Sequence, residues 1–378
     1  MNERWLADRL SGLHEMNAHF RRIYELSRSV PDPINLVVGQ PDFDVPEPIK
    51  QAALSAIIAG HNSYAPTQGL VPLRNSMREG LQQRFPTAMN RDVVITGGTM
   101  AALNLALLAT VNPGDEVILF DPCFMAYEPM IRLFGGQTVF VDTYPSFQID
   151  PDRLAAALTD RTKAILICSP GNPTGVVQEP GRVRAVAELA ERRGLVLISD
   201  EIYADFVYDE NCVSPLAFNP QTVVVSSWSK THALTGWRLG YAHGPARLIE
   251  AMTQVQMVTF VAGPSFAQHA VQNAGPVDLT PHLREYQRKR DWLLRDLAEH
   301  FTIVKPAGAF YLFMPTPWGS GSTFVEEAIR HKLMILPGCV FGRHDTHIRL
   351  SYAVADQTLE RGIEVLRQLA QQPPPASA

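Results

Sequence analysis

The sequence predicts an α/β protein with a large central domain and a smaller α+β domain built from both ends of the chain. Three observations predict this fold. The chain has 378 residues, which is too long for one small core. From Asp92 onward, short β-branched runs alternate with longer helical segments. Most of these runs are uniformly apolar, which is typical of strands that helices cover on both faces, so we expect a mostly parallel sheet between helices.

Seven strands are predicted for the large domain, at residues 46–276. Pro46 and Pro48 begin its first helix and Gly60 ends it, because proline suits a first turn and glycine a helix end. A second helix is expected to begin near Val71. The strand candidates are residues 93–96, 117–120, 138–141, 164–168, 195–199, 223–226 and 239–242. Helical segments between them are residues 100–110, 182–193 and 247–257.

The smaller domain is predicted to combine residues 1–45 with residues 277–370. The first 30 residues indicate an amphipathic helix, and residues 34–38 a short strand. The apolar residues of that helix are Leu6, Leu10, Leu13 and Phe20. A helical region over residues 264–299, interrupted near Gly275, leads out of the large domain. Short strands are expected at residues 301–304, 309–313, 335 and 348–352, a closing helix at 359–369 and a disordered tail at 371–378.

Composition and charge exclude several classes of protein. The chain is 46% hydrophobic and 19% charged, which is typical of a soluble globular protein. A net charge of -5 provides no electrostatic basis for binding nucleic acid or an anionic membrane. The sequence contains no apolar run of membrane-spanning length and no signal-peptide core. The four cysteines are scattered without metal-ligand spacing, so we expect free thiols, no metal site and a cytoplasmic location.

Lys230 is the strongest candidate for a catalytic residue. The hydroxyl groups of Ser227 and Ser229 precede it closely, and Arg238 follows eight residues later. Small hydroxyl groups and a guanidinium suit an anionic group held beside an amine. Such an amine can form a Schiff base with a carbonyl, and desolvation or a nearby cation lowers its pKa from the usual value of about 10.4.

The other candidates follow the predicted strands, because ligands of open α/β sheets bind outside the carboxyl ends of the strands. Gly98 and Thr99 lead into a helix whose free N–H groups can bind a phosphate, although the same residues also suit an ordinary tight turn. Asn172 lies in a turn with two X-Pro bonds, which can fix an unusual conformation. Asp200 ends an apolar strand, where a buried carboxylate needs a partner unless it caps the next helix.

These motifs, in this order, resemble the fold-type I pyridoxal-phosphate-dependent aminotransferases of the class I/II family, which are aspartate aminotransferase-like. The run from Ser227 to Gly240, the Asn172-Pro173-Thr174-Gly175 turn and the position of Asp200 carry the resemblance, which covers nearly the whole chain. It implies pyridoxal 5'-phosphate as the cofactor, and amino acids and 2-oxo acids as substrates. It also implies that Lys230 holds the cofactor and moves the substrate proton.

The resemblance also assigns roles to the residues around the cofactor. It implies that Asp200 binds the ring nitrogen and keeps it protonated, that Tyr203 and Asn172 bind the ring oxygen, and that Phe124 stacks on the ring. The phosphate is expected to contact a set of polar groups on Gly98, Thr99, Met100, Ser227, Ser229 and Arg238. Tyr64 matches a tyrosine that reaches the phosphate of the neighbouring subunit, which implies a homodimer with shared active sites.

The same resemblance implies the substrate contacts. Arg349 matches the arginine that grips the α-carboxylate, assisted by a backbone N–H at Gly39 and by Asn172. In some family members that act on acidic substrates a lysine occupies the place of Met100, which cannot supply that charge. Phe124 replaces the tryptophan or tyrosine common at its position, which removes a polar group near the substrate. The prediction is therefore a transaminase for an amino acid with a neutral or apolar side chain.

Two alternatives share this scaffold. A pyridoxal-phosphate-dependent carbon–sulfur β-lyase would use the same residues, and would form pyruvate and ammonia without an oxo-acid acceptor. A non-catalytic, ligand-sensing protein is the other alternative. Such proteins usually carry an added DNA-binding segment, and the chain before the first motif is expected to be too short for one.

Overall fold

The computed structural model describes residues 7–10, 25, 30–209 and 211–374. Its strands are β1 (Ile34–Asn35), β2 (Arg91–Thr96), β3 (Glu116–Asp121), β4 (Gln137–Asp142), β5 (Thr162–Cys168), β6 (Val196–Asp200), β7 (Val223–Ser227), β8 (Gly240–Pro245), β9 (Tyr311–Pro315), β10 (Leu333–Met334), β11 (Leu336–Pro337) and β12 (His347–Ser351). Its helices are α1 (Glu47–Ile58), α2 (Val71–Arg84), α3 (Thr99–Thr110), α4 (Tyr127–Leu133), α5 (Pro151–Ala157), α6 (Pro180–Arg193), α7 (Trp228–Thr231), α8 (Ala246–Thr259), α9 (Ser265–Asn273), α10 (Thr280–Leu297), α11 (Gly321–Arg330) and α12 (Asp356–Ala370).

A seven-stranded sheet forms the centre of the molecule, in the order β2-β8-β7-β6-β5-β3-β4. All neighbours pair in parallel except β8, which runs antiparallel to both β2 and β7. The predicted mostly parallel sheet is confirmed. Because β8 runs in the opposite direction, its first residue, Gly240, pairs with the last residues of its two neighbours, Thr96 and Ser227. The chain therefore returns to the carboxyl-end edge of the sheet just before β8.

The sheet is covered by apolar side chains on both faces. Along β5, Ala164 and Leu166 pack into one core cluster with α3 and α8, while Ile165 and Ile167 pack into another with α6. Successive side chains of a strand point to opposite faces, so a strand buried on both sides must be apolar at every position. This explains why the strands read as continuous apolar runs.

A separate core cluster joins the two ends of the described chain. Leu36 packs there with residues of the carboxyl-terminal part, including Leu312 of β9, Ile348 of β12 and Leu366 of α12. β1 pairs in parallel with β10, and β9, β11 and β12 form a three-stranded antiparallel sheet. This second set of sheets agrees with the predicted smaller α+β unit. None of the helices in the described part of the chain is long and apolar enough to cross a membrane.

Several predicted elements differ from the structure. The strand predicted at 34–38 is only two residues long, because the Asn35 side chain accepts a hydrogen bond from the Val37 N–H and ends the ladder. Residues 301–304 form no strand, since the Phe301 N–H bonds back to Leu297 at the end of α10. The strand predicted at 239–242 begins at Gly240 and extends to Pro245.

Other predictions fall partly outside the described residues. Leu6, Leu13 and Phe20 of the predicted amino-terminal helix lie outside them, and Leu10 ends a short 3-10 helix, Asp8–Leu10. The helical region at 264–299 is divided into α9 and α10, with the break at the predicted position. The closing helix α12 ends at Ala370, and residues 375–378 of the predicted tail are not described.

Candidate active site

A cavity of about 410 Å³ lies at the carboxyl-end edge of the central sheet. We call it the active-site cavity. The ends of β5, β6 and β7 and the start of α3 border it, together with the segment after β1 and part of β12. It brings together every predicted site residue except Gly98 and Tyr64: Gly39, Thr99, Met100, Phe124, Asn172, Asp200, Tyr203, Ser227, Ser229, Lys230, Arg238 and Arg349.

Lys230 lines this cavity and lies on the single-turn helix α7. Ser227 ends β7 and caps the amino end of α7, and its hydroxyl accepts a hydrogen bond from the Ser229 N–H at 3.2 Å. The amine of Lys230 donates a hydrogen bond to the Gly39 carbonyl at 2.6 Å. Burial, and then the positive charges of Arg349 and Arg238, lower the pKa of Lys230 to about 8. The amine is therefore much more often neutral at physiological pH than an exposed lysine would be.

Asp200 occupies the end of β6 and is almost completely buried. The hydroxyl of Tyr127 donates a hydrogen bond to its carboxylate at 2.7 Å, and the Ile202 N–H donates another at 3.1 Å. Burial raises the pKa of Asp200 to about 6, against the opposing effect of the Tyr127 hydrogen bond. The carboxylate is thus mostly ionised at neutral pH, in a place where a cation would stabilise it.

A cradle for an anion lies where β2 meets α3. Gly98 has φ of +92°, and a Cβ there would lie 2.6 Å from the Arg238 guanidinium. The first N–H groups of α3 have no partner within the helix. The Thr99 hydroxyl is buried and has no hydrogen-bond partner, while Arg238 donates to the carbonyls of Thr235 at 2.8 Å and Gly97 at 3.2 Å. The first N–H groups of α3, the Thr99 hydroxyl and the Arg238 guanidinium can all donate hydrogen bonds to an anion, and none of them carries a negative charge.

Arg349 lies on β12 and lines the same cavity. It donates one hydrogen bond to the Asn172 side-chain oxygen at 3.1 Å and another to the Val37 carbonyl. Its guanidinium stands over the rings of Tyr311 and Phe341, at 4.7 and 4.8 Å. The Nε atom is buried and has no partner. The neighbours of Arg349 therefore fix its guanidinium, and its Nε–H remains available as a hydrogen-bond donor.

The sequence matches the family described as Aminotransferase class I and II over residues 31–366. The chain belongs to this family.

Named relatives agree with this assignment. The aminotransferase is 36% identical over 358 residues to the putative aminotransferase YugH of Bacillus subtilis, covering 91% of this chain and 93% of the relative. It is also 36% identical over 354 residues to the aspartate/prephenate aminotransferase of Thermus thermophilus, covering 90% of this chain and 91% of the relative. A solved structure of a single mutant of Thermus thermophilus aspartate aminotransferase superposes with a TM-score of 0.89 at 34% identity, covering 96% of this chain and 99% of that chain.

This aminotransferase is a transferase that depends on pyridoxal 5'-phosphate, as members of the family are. Its own residues fit that cofactor. The cradle at Gly98, with the unpartnered Thr99 hydroxyl and Arg238, has the donors that a phosphate ester requires. A buried carboxylate at Asp200 and a partly neutral amine at Lys230 lie in the same cavity, and they suit the ring nitrogen and the aldehyde.

Two residues of the aminotransferase site were missed in the sequence. Tyr127 bonds to Asp200, and its ring meets Phe124 edge-on at 5.5 Å between centroids. Tyr311 bonds to the Tyr203 hydroxyl at 2.6 Å. Tyr127 lies three residues after Phe124, and its N–H bonds to the Phe124 carbonyl in the turn before α4, so its closeness to a predicted site residue could have indicated it. Tyr311 is 108 positions from Tyr203, and no local signal connects them.

Gly98 and Tyr64 do not line the cavity of the aminotransferase. Gly98 lies directly behind the cavity wall, where the backbone at Gly240 also approaches it closely. Tyr64 is 88% exposed and lies away from the cavity of its own chain.

Proposed function

We propose that this aminotransferase moves the amino group of an L-amino acid with a neutral or apolar side chain to a 2-oxo acid. The charges of the active-site cavity carry the proposal. Among the described residues that line it, the only positively charged side chains are Lys230, Arg238 and Arg349. If Arg238 binds the phosphate, Arg349 binds the α-carboxylate, and Lys230 holds the cofactor and moves the substrate proton, no cation is left for a second carboxylate.

The remaining lining is largely apolar, which suits an apolar side chain. Its apolar members are Val37, Val38, Met100, Leu103, Phe124, Met125, Ile202 and Leu336. Burying an unpaired carboxylate against such a surface costs several kcal/mol, whereas burying an apolar group is favourable. The names of relatives such as the aspartate/prephenate aminotransferase refer to their own substrates, and the cavity of this chain supports a different preference.

Lys230, Asp200, Arg349 and Gly39 have proposed parts in the reaction itself. When bound in this cavity, pyridoxal 5'-phosphate would supply an electron sink for the electron pair of the breaking Cα–H bond. Lys230 Nζ takes the proton from Cα, which its lowered pKa allows near neutral pH. Asp200 holds a proton on the ring nitrogen. Arg349 and the Gly39 N–H bind the α-carboxylate and so orient the Cα–H bond toward Lys230.

The other proposed roles concern binding of the cofactor. Tyr203 and Asn172 donate hydrogen bonds to the ring oxygen, and Phe124 covers the ring and excludes water. The phosphate is bound by the backbone N–H groups and side chains of one set of residues: Gly98, Thr99, Met100, Ser227, Ser229 and Arg238. The unpartnered Thr99 hydroxyl and the close approach of Gly98 to Arg238 support this part of the proposal.

A comparison of amino-acid donors tests the substrate class. We expect kcat/KM for leucine, methionine or phenylalanine to exceed that for aspartate and glutamate by about tenfold or more, because burying a carboxylate without a partner costs at least the ~1.4 kcal/mol that corresponds to that factor. The Met100→Lys variant should narrow the difference, while Met100→Leu should leave it unchanged. A wild-type preference for aspartate would contradict the proposal. Formation of pyruvate and ammonia without an oxo-acid acceptor would instead indicate the β-lyase.

A homodimer with shared active sites is part of the same proposal. The exposed side chain of Tyr64, which lies outside the cavity of its own chain, supports a role in the site of a partner. Exposed apolar residues at the end of α1 and of α8, including Ile58 and Val258, support burial against a second copy.

Hybrid dimers test whether Tyr64 acts in the partner's site. A Lys230→Ala subunit paired with a Tyr64→Phe subunit would contain one site with both native residues only if Tyr64 acts across the interface. We expect one of the two sites of each hybrid dimer to recover the wild-type affinity for the cofactor, which is about one quarter of all sites after complete exchange of an equal mixture. Affinity that stays at the Tyr64→Phe value after subunit exchange would show that Tyr64 acts within its own chain, or not at all.

Two further points remain proposals. The core cluster shared by both ends of the described chain supports domain boundaries near residues 46 and 276, and limited proteolysis should cut preferentially near them. The four free cysteine thiols support a reducing, cytoplasmic location, which cell fractionation would test.

A further inference from the structure

Tyr311 contacts three parts of the active site at once. It begins β9 and is almost completely buried. Its hydroxyl lies 2.6 Å from the hydroxyl of Tyr203, and its ring lies 4.7 Å from the Arg349 guanidinium. The hydroxyl also occupies the space beside Gly39 where a Cβ would lie, so that any larger residue at Gly39 would overlap it. The side chain thus joins proposed contacts to the cofactor ring with those to the substrate carboxylate.

The hydrogen bond between the two tyrosines has a required direction when the cofactor is bound. Each phenol carries one proton. If Tyr203 donates its proton to the ring oxygen, it can only accept from Tyr311, which must then be the donor. A hydroxyl that accepts one hydrogen bond becomes a stronger donor in the next, since chains of hydrogen bonds polarise one another in a buried site. The positive charge of Arg349 over the Tyr311 ring favours the same polarity.

The ring of Tyr311 has a second and separable contact. The Arg349 guanidinium also stands over Phe341 at 4.8 Å, so two aromatic rings hold it. Contacts of this kind orient a guanidinium and stabilise its charge in a buried place. Replacing tyrosine by phenylalanine would retain the ring and remove only the hydroxyl. The structure therefore lets the two contacts be tested one at a time.

We propose that Tyr311 is a positioning residue that directs the Tyr203 proton toward the cofactor ring oxygen and holds Arg349 in place for the substrate carboxylate. This inference rests on the proposed roles of Tyr203 and Arg349. Its consequence is a coupling between the two sides of the site, because one side chain touches both.

The test is a pH titration of the absorbance of the bound cofactor, together with KM for the amino-acid donor. Without the Tyr311 hydroxyl, Tyr203 should stabilise the ring-oxygen anion less, so the pKa of the chromophore should rise by about half a unit in Tyr311→Phe. KM should change less than about twofold, because the ring beside Arg349 stays. Phe341→Leu is the matched control. It should raise KM by about fivefold and shift the chromophore pKa less than Tyr311→Phe does, because it leaves the hydrogen bond between Tyr311 and Tyr203 in place.

A double-variant cycle makes the test independent of general damage to the fold. In a Tyr203→Phe background, adding Tyr311→Phe should cause no further shift of the chromophore pKa. An unchanged pKa in Tyr311→Phe, an equal shift in Phe341→Leu, or an additive shift in the double variant would each overturn the inference. A wild-type protein without cofactor absorbance or amino-group transfer would instead contradict the proposed function, so the two failures are distinguishable.

Discussion

Lys230 of the cofactor-free protein should react with amine reagents as an unusually acidic lysine, and Arg349→Gln should remove part of that acidity. Burial is the largest cause of the lowered pKa, and the Arg349 charge is the next. Asp200 acts in the opposite direction, but its effect is smaller. Because removing a cation favours the protonated form of a neighbouring amine, the variant must shift the pKa of Lys230 upward.

The size of the effect follows from the pKa values. With a pKa of about 8 instead of 10.5, about one quarter of the Lys230 amine is neutral at pH 7.5, compared with about one thousandth for an exposed lysine. Burial persists in Arg349→Gln, so we expect the pKa to rise by only about half a unit, which lowers the neutral fraction to about one tenth.

Pulse labelling of the cofactor-free protein, followed by peptide mass spectrometry between pH 6 and 10, measures this fraction. Arg367→Gln removes one exposed charge from α12, outside the active-site cavity, and is the matched control. The labelling midpoint of Lys230 should lie near pH 8 in the wild type and the control. The reasoning is refuted if that midpoint lies above pH 10, or if Arg349→Gln leaves it unchanged.

Two further predictions concern the carboxylate and the phosphate cradle. Tyr127→Phe removes the hydrogen bond that lowers the pKa of Asp200, so the pKa of Asp200 should rise above about 6. Because the carboxylate is then protonated at a higher pH, activity should also be lost at a higher pH when the solution is acidified. A pH profile of kcat measures this shift. A profile identical to that of the wild type would contradict this. Gly98→Ala places a side chain at φ of +92° against Arg238 and should weaken cofactor affinity about tenfold or more by equilibrium dialysis. The control Gly181→Ala adds a Cβ in open space and should leave the cofactor affinity unchanged. Equal cofactor affinities in the two variants would contradict phosphate binding at Gly98.

The central sheet could be predicted because burial on both faces requires apolar residues at every position. β5, for example, was predicted at 164–168 and spans Thr162–Cys168. The direction of β8 could not be predicted, since apolar content is the same in parallel and antiparallel strands. The false strand at 301–304 has a similar origin. Its apolar residues Phe301 and Ile303 pack on the core without a neighbouring strand. Composition alone does not distinguish an apolar strand from an apolar loop that packs on the core.

The candidate site could be predicted because its residues follow strand ends. Asp200 ends a strand, Asn172 and Lys230 lie just beyond one, and a parallel sheet brings such positions to one edge. Contacts between distant segments could not be predicted in the same way. The approach of Tyr311 to Tyr203 and to Gly39 depends on how β9 packs against the sheet edge, which no local pattern encodes. The proposed roles of the site residues stay predictions until they are measured.

We propose that Lys230 is the amine that binds the cofactor. Borohydride reduction of the cofactor-loaded enzyme would fix the cofactor to its lysine, and peptide mass spectrometry would locate it. The chain offers six lysines: Lys50, Lys163, Lys230, Lys289, Lys305 and Lys332. We expect one phosphopyridoxyl group per chain, on the peptide that contains Lys230, and none in Lys230→Ala. The group on any other lysine, or a Lys230→Ala variant that is labelled as well as the wild type, would contradict it.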